Sequence, residues 1–204
     1  MINKVTNKQK TIETYDRAAE ALAKKFAGIG PRTKDIDAAF ELLGKLNPFV
    51  LEIGCGDGRD AAEIVERTDS YIGMDISEGM LNVARLRLPN TKFVRADIET
   101  YIFPPGLDIF FAFASLLHVP KDGLSTVLKN AHQAMNPGAI MFISLKQRET
   151  YQAEVKKDEF GERLFYYYTP SDLHELTSEL FETVSQTSKD YVGSTWLDVM
   201  LKKK

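Results

Sequence analysis

The stretch Val50–Ile64, VLEIGCGDGRDAAEI, constrains the fold more than any other part of this 204-residue chain. An apolar run from Phe49 to Leu51 meets Glu52, glycines follow at Gly54, Gly56 and Gly58, and an alanine-rich helical pattern then begins. That order reads as strand, tight turn and helix, because residues without a Cβ let the chain reverse sharply and let a ligand lie against its backbone. In an open α/β sheet a turn of this kind, at the carboxyl end of a parallel strand, is where ligands bind.

The surrounding pattern supplies such a sheet. A helix is expected over Thr11 to Phe26 from Ile12, Tyr15, Ala18, Ala19, Leu22 and Phe26, ended by Gly28-Ile29-Gly30-Pro31, and a second over Lys34 to Leu46, closed by Asn47-Pro48. Beyond the glycine turn come a second strand, Tyr71 to Asp75, a helix capped by Ser77, a short third strand, Lys92 to Arg95, and a continuously apolar fourth, Asp108 to Phe113. A helix over Lys121 to Met135 and a fifth strand, Ala139 to Leu145, complete the βα alternation, which implies parallel strands and right-handed crossovers. Lys146 to Tyr168 breaks that rhythm and reads as a long loop, of the kind that carries function or disorder. After a helix, Asp172 to Leu180, two strands, Glu182 to Lys189 and Thr195 to Lys202, are close enough in sequence to be antiparallel.

The acids decide what the turn can bind. A dinucleotide loop has G-x-G-x-x-G, but counted from Gly54 its last glycine is replaced by Arg59, and Glu52 and Asp57 would repel a pyrophosphate. They suit a ligand with positive charge, such as S-adenosylmethionine with its ammonium and sulfonium. Asp75, at the end of the second strand, can accept both hydroxyls of an adenosine ribose, or simply cap the following turn. Asp97 ends the third strand in RADIE.

E-x-G-x-G-x-G after a first strand, followed by acids ending strands two and three, resembles the class I S-adenosylmethionine-dependent methyltransferases over roughly residues 10 to 201. The resemblance implies an α/β, Rossmann-like, doubly wound sheet of seven strands, order 3-2-1-4-5-7-6 with strand seven antiparallel, in three αβα layers. It also implies one methyltransferase domain over residues 1–204, with residues 1–47 as helical lid and residues 146–169 as substrate cover. By the same resemblance Glu52 orients the methionine ammonium, directly or through water, while Gly54, Cys55 and Gly56 offer backbone to the methionine part. Asp97 and the backbone of Ile98 meet the adenine, Ile76 and Met80 flank it, Phe113 and Ala114 lie near the sulfonium, and Tyr15 closes over the cofactor. The N-terminal tyrosine could equally be a packing residue. Arg95 beside Asp97 is a departure, since an ion pair between them would compromise the adenine contact.

Catalytic groups are less defined. His118 follows strand four in ASLLHVP and either takes a proton or contacts substrate, or holds a backbone carbonyl. The run GERLFYYYTP, residues 161 to 170, resembles a substrate-side motif in a small-molecule subgroup of the family, which makes Tyr167 and Arg163 further candidates. Arg163 could instead form a structural ion pair, and Trp196 reads as a packing residue. Cys55 lacks an adjacent base and is not expected to act as a nucleophile.

No His, Cys and acid combination has metal-ligand spacing, so no metal is expected. A net charge of −3 gives no general attraction for nucleic acid, and no apolar run approaches the roughly 20 residues that span a bilayer. One cysteine and an N-terminus without an apolar signal region fit a cytoplasmic protein. The expectation is a methyltransferase using S-adenosylmethionine, leaving S-adenosylhomocysteine, on a small-molecule acceptor. A non-catalytic cofactor-binding or regulatory protein on the same fold is the alternative.

Overall fold

The computed structural model describes residues 3–191 and 193–204. Three helices, α1 (Lys4–Arg17), α2 (Ala19–Ala27) and α3 (Thr33–Leu43), precede β1 (Val50–Ile53). Then come α4 (Arg59–Val65), β2 (Tyr71–Asp75), α5 (Glu78–Arg87), β3 (Phe93–Arg95) and β4 (Leu107–Phe113). The remainder is α6 (Lys121–Ala134), β5 (Met135–Lys146), β6 (Gln152–Asp158), β7 (Gly161–Tyr167), α7 (Pro170–Thr177), β8 (Phe181–Tyr191) and β9 (Ser194–Lys203).

Seven strands form one sheet in the order β3-β2-β1-β4-β5-β9-β8. Pairings from β3 to β5 are parallel, β9 runs antiparallel to β5, and β8 runs antiparallel to β9, so β9 alone opposes the rest. This is the expected order, with β8 and β9 in the places of strands six and seven. Every residue of the central β4 is buried, as its unbroken apolar run requires. Successive side chains alternate faces: Phe110 and Ala112 pack with Leu124, Val127 and Leu128 of α6, while Ile109 and Phe111 pack with Ile36 of α3 and Ala61 and Ile64 of α4. Helices thus cover both faces. Burying each large side chain contributes roughly 1.5–3 kcal/mol.

Three expectations change. The helix over Thr11 to Phe26 is two helices, broken at Ala18, where φ −102° and ψ 15° leave the helical region. The helix from Lys34 stops at Leu43 because Gly44 takes a left-handed conformation, φ 62°, as its C-cap. Lys146 to Tyr168 is mostly ordered strand: β6 and β7 form an antiparallel hairpin outside the main sheet, from Gln152↔Tyr167 to Asp158↔Gly161.

Hydrogen bonds lace α1 to this hairpin. The Leu164 amide donates to Thr11 Oγ1 at 2.9 Å, Thr14 Oγ1 donates to the Glu162 carbonyl at 2.9 Å, and Arg17 Nη2 donates to the Phe160 carbonyl at 2.9 Å. Helix and hairpin together form a roof.

Candidate functional site

Beneath that roof, at the carboxyl ends of β1, β2 and β4, lies a cavity of about 840 Å³. Its floor is the glycine turn. Gly54, Gly56 and Gly58 all have positive φ, and a Cβ built on Gly54 would lie 2.2 Å from Ser115 Cβ, so the turn touches the end of β4 as closely as backbone allows. Ala114, just after β4, is itself left-handed at φ 54°, a conformation that costs an L-residue about 1–3 kcal/mol and recurs where ligands are held.

Asp75 secures the turn from β2. Its Oδ2 accepts from the Gly56 amide at 2.9 Å and its Oδ1 from the Ser77 amide at 2.9 Å. Burial raises its carboxyl above the ordinary range, and those backbone donors oppose the rise. Ser77 caps α5 as expected, accepting from the Met80 amide at 3.1 Å. Asp16 of α1 reinforces this cap, taking hydrogen bonds from Ser77 Oγ at 2.7 Å and the Gly79 amide at 3.0 Å.

The cavity wall gathers most of the residues singled out in the sequence: Tyr15, Gly54, Cys55, Gly56, Asp75 and Ile76 on one part, and Met80, Asp97, Ile98, Phe113, Ala114 and His118 on another. Glu52, Arg163 and Tyr167 are not among the wall residues. Glu52 points to the Val50 side of β1 and accepts from Tyr71 Oη at 2.6 Å, with burial holding its carboxyl well above the usual range. Arg163 is paired with Asp158, and its guanidinium lies 5.5 Å from the Tyr15 ring centroid. Tyr167 packs under Arg148, whose guanidinium is 3.9 Å from its ring. A period of two explains the hairpin result: Leu164 lines the cavity, so Arg163 and Phe165 face away from Leu164's side of the strand.

Arg95 does not meet Asp97; its Nε donates to the Ile76 carbonyl at 3.3 Å. The cation at Asp97 is Lys8 of α1, whose Nζ lies 2.7 Å from Asp97 Oδ2 and also pairs with Glu99. Burial alone would lower the Lys8 ammonium, but the two carboxylates outweigh it and raise it. Nothing near Lys8 in sequence announces this contact, which spans 89 positions.

His118 and Tyr15 form a buried pair. His118 Nδ1 sits 2.6 Å from the Leu164 carbonyl, which can only accept, so Nδ1 carries the proton and Nε2 is left as an acceptor. Tyr15 Oη donates to that nitrogen at 3.0 Å. Burial, with further help from Arg163, lowers His118 to about 4, so the imidazole is neutral near pH 7. Its unfolded value is near 6.5, so its contribution to stability is complete above that pH and lost as pH falls toward 4. The urea midpoint should therefore fall more between pH 7 and pH 5 in the wild type than in His118→Gln; equal falls would remove His118 as a source of acid sensitivity. Burial also raises the Cys55 thiol well above its usual value, which keeps it protonated and a poor nucleophile.

Among the described residues no group of three or more His, Cys, Asp or Glu side chains could hold a metal, and no helix is long and apolar enough to cross a membrane.

A family model described as a methyltransferase domain matches residues 50–138. A trans-aconitate 2-methyltransferase of Rhodopseudomonas palustris (strain HaA2) is 37% identical over 98 residues, a match spanning 47% of this chain and 38% of that protein. A ubiquinone biosynthesis O-methyltransferase of Yersinia pestis (strain Pestoides F) is 26% identical over 163 residues, or 69% of this chain and 66% of its own length. The chain spans less than half the length of the trans-aconitate methyltransferases it matches. Among solved structures, a Burkholderia thailandensis 1,6-didemethyltoxoflavin-N1-methyltransferase, with its substrate and S-adenosylhomocysteine bound, shares the fold with a TM-score of 0.77 at 17% identity, covering 100% of this chain and 92% of that one.

Proposed function

We propose that this chain is a class I S-adenosylmethionine-dependent methyltransferase, that its cavity binds S-adenosylmethionine and that it methylates a small-molecule acceptor. The observation that carries this reading is the convergence of the glycine turn, Asp75 and Asp97 on one cavity. The turn has the room that such a cofactor needs, since a Cβ on Gly56 would come within 3.3 Å of Met80 Cε and narrow the cradle. Asp75 retains acceptor capacity beyond its two backbone partners and would take the ribose hydroxyls. Asp97 and Ile98 would meet the adenine, with Lys8 fixing the Asp97 carboxylate rather than blocking its remaining lone pairs.

Bound S-adenosylmethionine would supply an electrophilic methyl for an acceptor lone pair, with the carbon–sulfur bonding electrons left on sulfur. The chain's part is placement. Phe113 and Ala114 would set the methyl-bearing end, and the α1–hairpin roof, residues 1–47 with residues 146–169, would exclude water. Proximity of this kind removes on the order of 7–11 kcal/mol of barrier. Tyr15 and His118 form the hydrogen-bonded pair on the wall that we assign to the acceptor's side, the neutral His118 imidazole fixing the Tyr15 hydroxyl by accepting its hydrogen bond. Glu52, which accepts from Tyr71 Oη, would act on the methionine ammonium through water rather than by direct contact.

The test is calorimetry with S-adenosylmethionine followed by assays for S-adenosylhomocysteine release in metabolite mixtures. We expect saturable binding and acceptor-dependent product; no detectable binding by the wild type would sink the proposal. A non-catalytic binding role is the second reading, favoured by the engagement of both His118 nitrogens within the protein. It predicts binding without any product.

A further inference from the structure

The cavity wall built by the α2–α3 connection, β5 and β9 holds two cations without counter-ions. Arg32, before α3, places its guanidinium 5.3 Å from the Phe113 ring centroid and 5.9 Å from that of Trp196. Lys146, ending β5, places Nζ 5.7 Å from the same indole and 4.5 Å from the Phe165 ring. Among the described residues, no carboxylate comes within 4.0 Å of either charge. The nearby acids are already engaged: Asp60 by Arg59 at 2.6 Å, Glu154 by Arg148 at 2.6 Å, and Asp198 by Lys189 at 2.5 Å. Asp35 also lies on this wall; burial raises its carboxyl above the ordinary range, while Lys189 and Arg32 draw it back down, so it is a diffuse rather than a directly paired neighbour of Arg32.

Two further observations point to a missing anion. Arg32 Nε is shut off from solvent with no hydrogen-bond acceptor, a state that burial penalises unless a ligand completes it. Burial, then Lys156 and Arg163, lowers the Lys146 ammonium to about 8, the behaviour of a cation held among like charges. Aromatic faces hold both side chains in position, yet a guanidinium lying over a ring keeps its N–H fork available at its edge.

Resting on the methyltransferase reading, we infer that the acceptor carries an oxyanion group, carboxylate or phosphoryl, which Arg32 and Lys146 hold against Trp196. Its negative charge supplies the direct ion pair that neither side chain makes within the protein, and the guanidinium fork fits two oxygens of such a group at once. Phe113 links this position to the end of β4, where the methyl is proposed to sit. The cations therefore place the acceptor; they do not take part in bond making.

Trp196 is the chain's single tryptophan, so its fluorescence reports this wall without labelling. We would titrate the full chain, with and without saturating S-adenosylhomocysteine, using citrate, inorganic phosphate and the uncharged triethyl citrate. A saturable response to citrate or phosphate is expected, with none to the triester; citrate alone assigns a carboxylate, phosphate alone a phosphoryl group. Arg32→Gln and Lys146→Gln should each raise the anion midpoint by about tenfold or more. Lys146→Arg should restore most of the loss, which guards against a variant that merely folds poorly. S-adenosylhomocysteine affinity, read by calorimetry, should be unchanged in all three. No response to either anion, an equal response to the triester, or midpoints unmoved by both glutamine variants would overturn the inference. Failure of the wild type to bind S-adenosylhomocysteine, with the anion response intact, would instead overturn the cofactor reading.

Discussion

Asp75→Ala is expected to abolish most S-adenosylmethionine binding, with calorimetric affinity falling by at least about 100-fold. The carboxylate does two jobs. It accepts from the Gly56 and Ser77 amides, both at 2.9 Å, and so fixes the turn against α5. It is also the acceptor proposed for the ribose. Hydrogen bonds to a charged group contribute roughly 1.5–3 kcal/mol each, so losing the ribose contacts alone costs on the order of 3 kcal/mol, and a loosened turn adds to it. Asp75→Asn keeps one oxygen as an acceptor and should fall between wild type and alanine. Alanine and wild type binding alike, with melting temperatures matched, would remove the ribose assignment.

Gly54→Ala should be comparably damaging, though by a different route. The substitution forces an L-residue to φ +64°, costing about 1–2 kcal/mol, and drives a Cβ to within 2.2 Å of Ser115 Cβ. Overpacking of that kind typically costs about 1–3 kcal/mol more. We expect destabilisation of about 2–5 kcal/mol in urea unfolding, and loss of cofactor binding even where the protein remains folded. Adding Ser115→Gly removes the clash but not the strain, so the double variant should recover only part of the stability. Full recovery would mean that backbone conformation matters little at this turn.

The two effects separate what the sequence states openly from what it hides. Gly54, Asp75, Asp97 and the apolar β4 are legible because each is a local signal: a turn, an acid ending a strand, a run of one period. The sheet order follows from them once the family is recognised. The N-terminal break at Ala18 is not legible, since alanine is the residue least expected to end a helix. Lys8, Asp16, Arg32 and Lys146 are not legible either. A lysine on a helix or an arginine before one looks like solvated surface until the fold brings Asp97, Ser77 or Trp196 to it. Glu52, Arg163 and Tyr167 lie off the cavity wall because alternation along each strand turns their side chains to its other face, which motif spacing alone does not reveal.

The lacing of α1 to the hairpin also sets an order of assembly. Leu164 and Glu162 follow their partners Thr11 and Thr14 by 153 and 148 positions, while the sheet strands that support the hairpin lie between and beyond them. Closing so long a loop is entropically unrewarded until β5 and the strands beside it exist. Helix α1 is therefore expected to dock late, which would make the cavity beneath it one of the last parts of the molecule to be enclosed. A chain stalled before that step would have its sheet in place and its glycine turn open to water, folded by most spectroscopic measures yet unable to shelter a reaction.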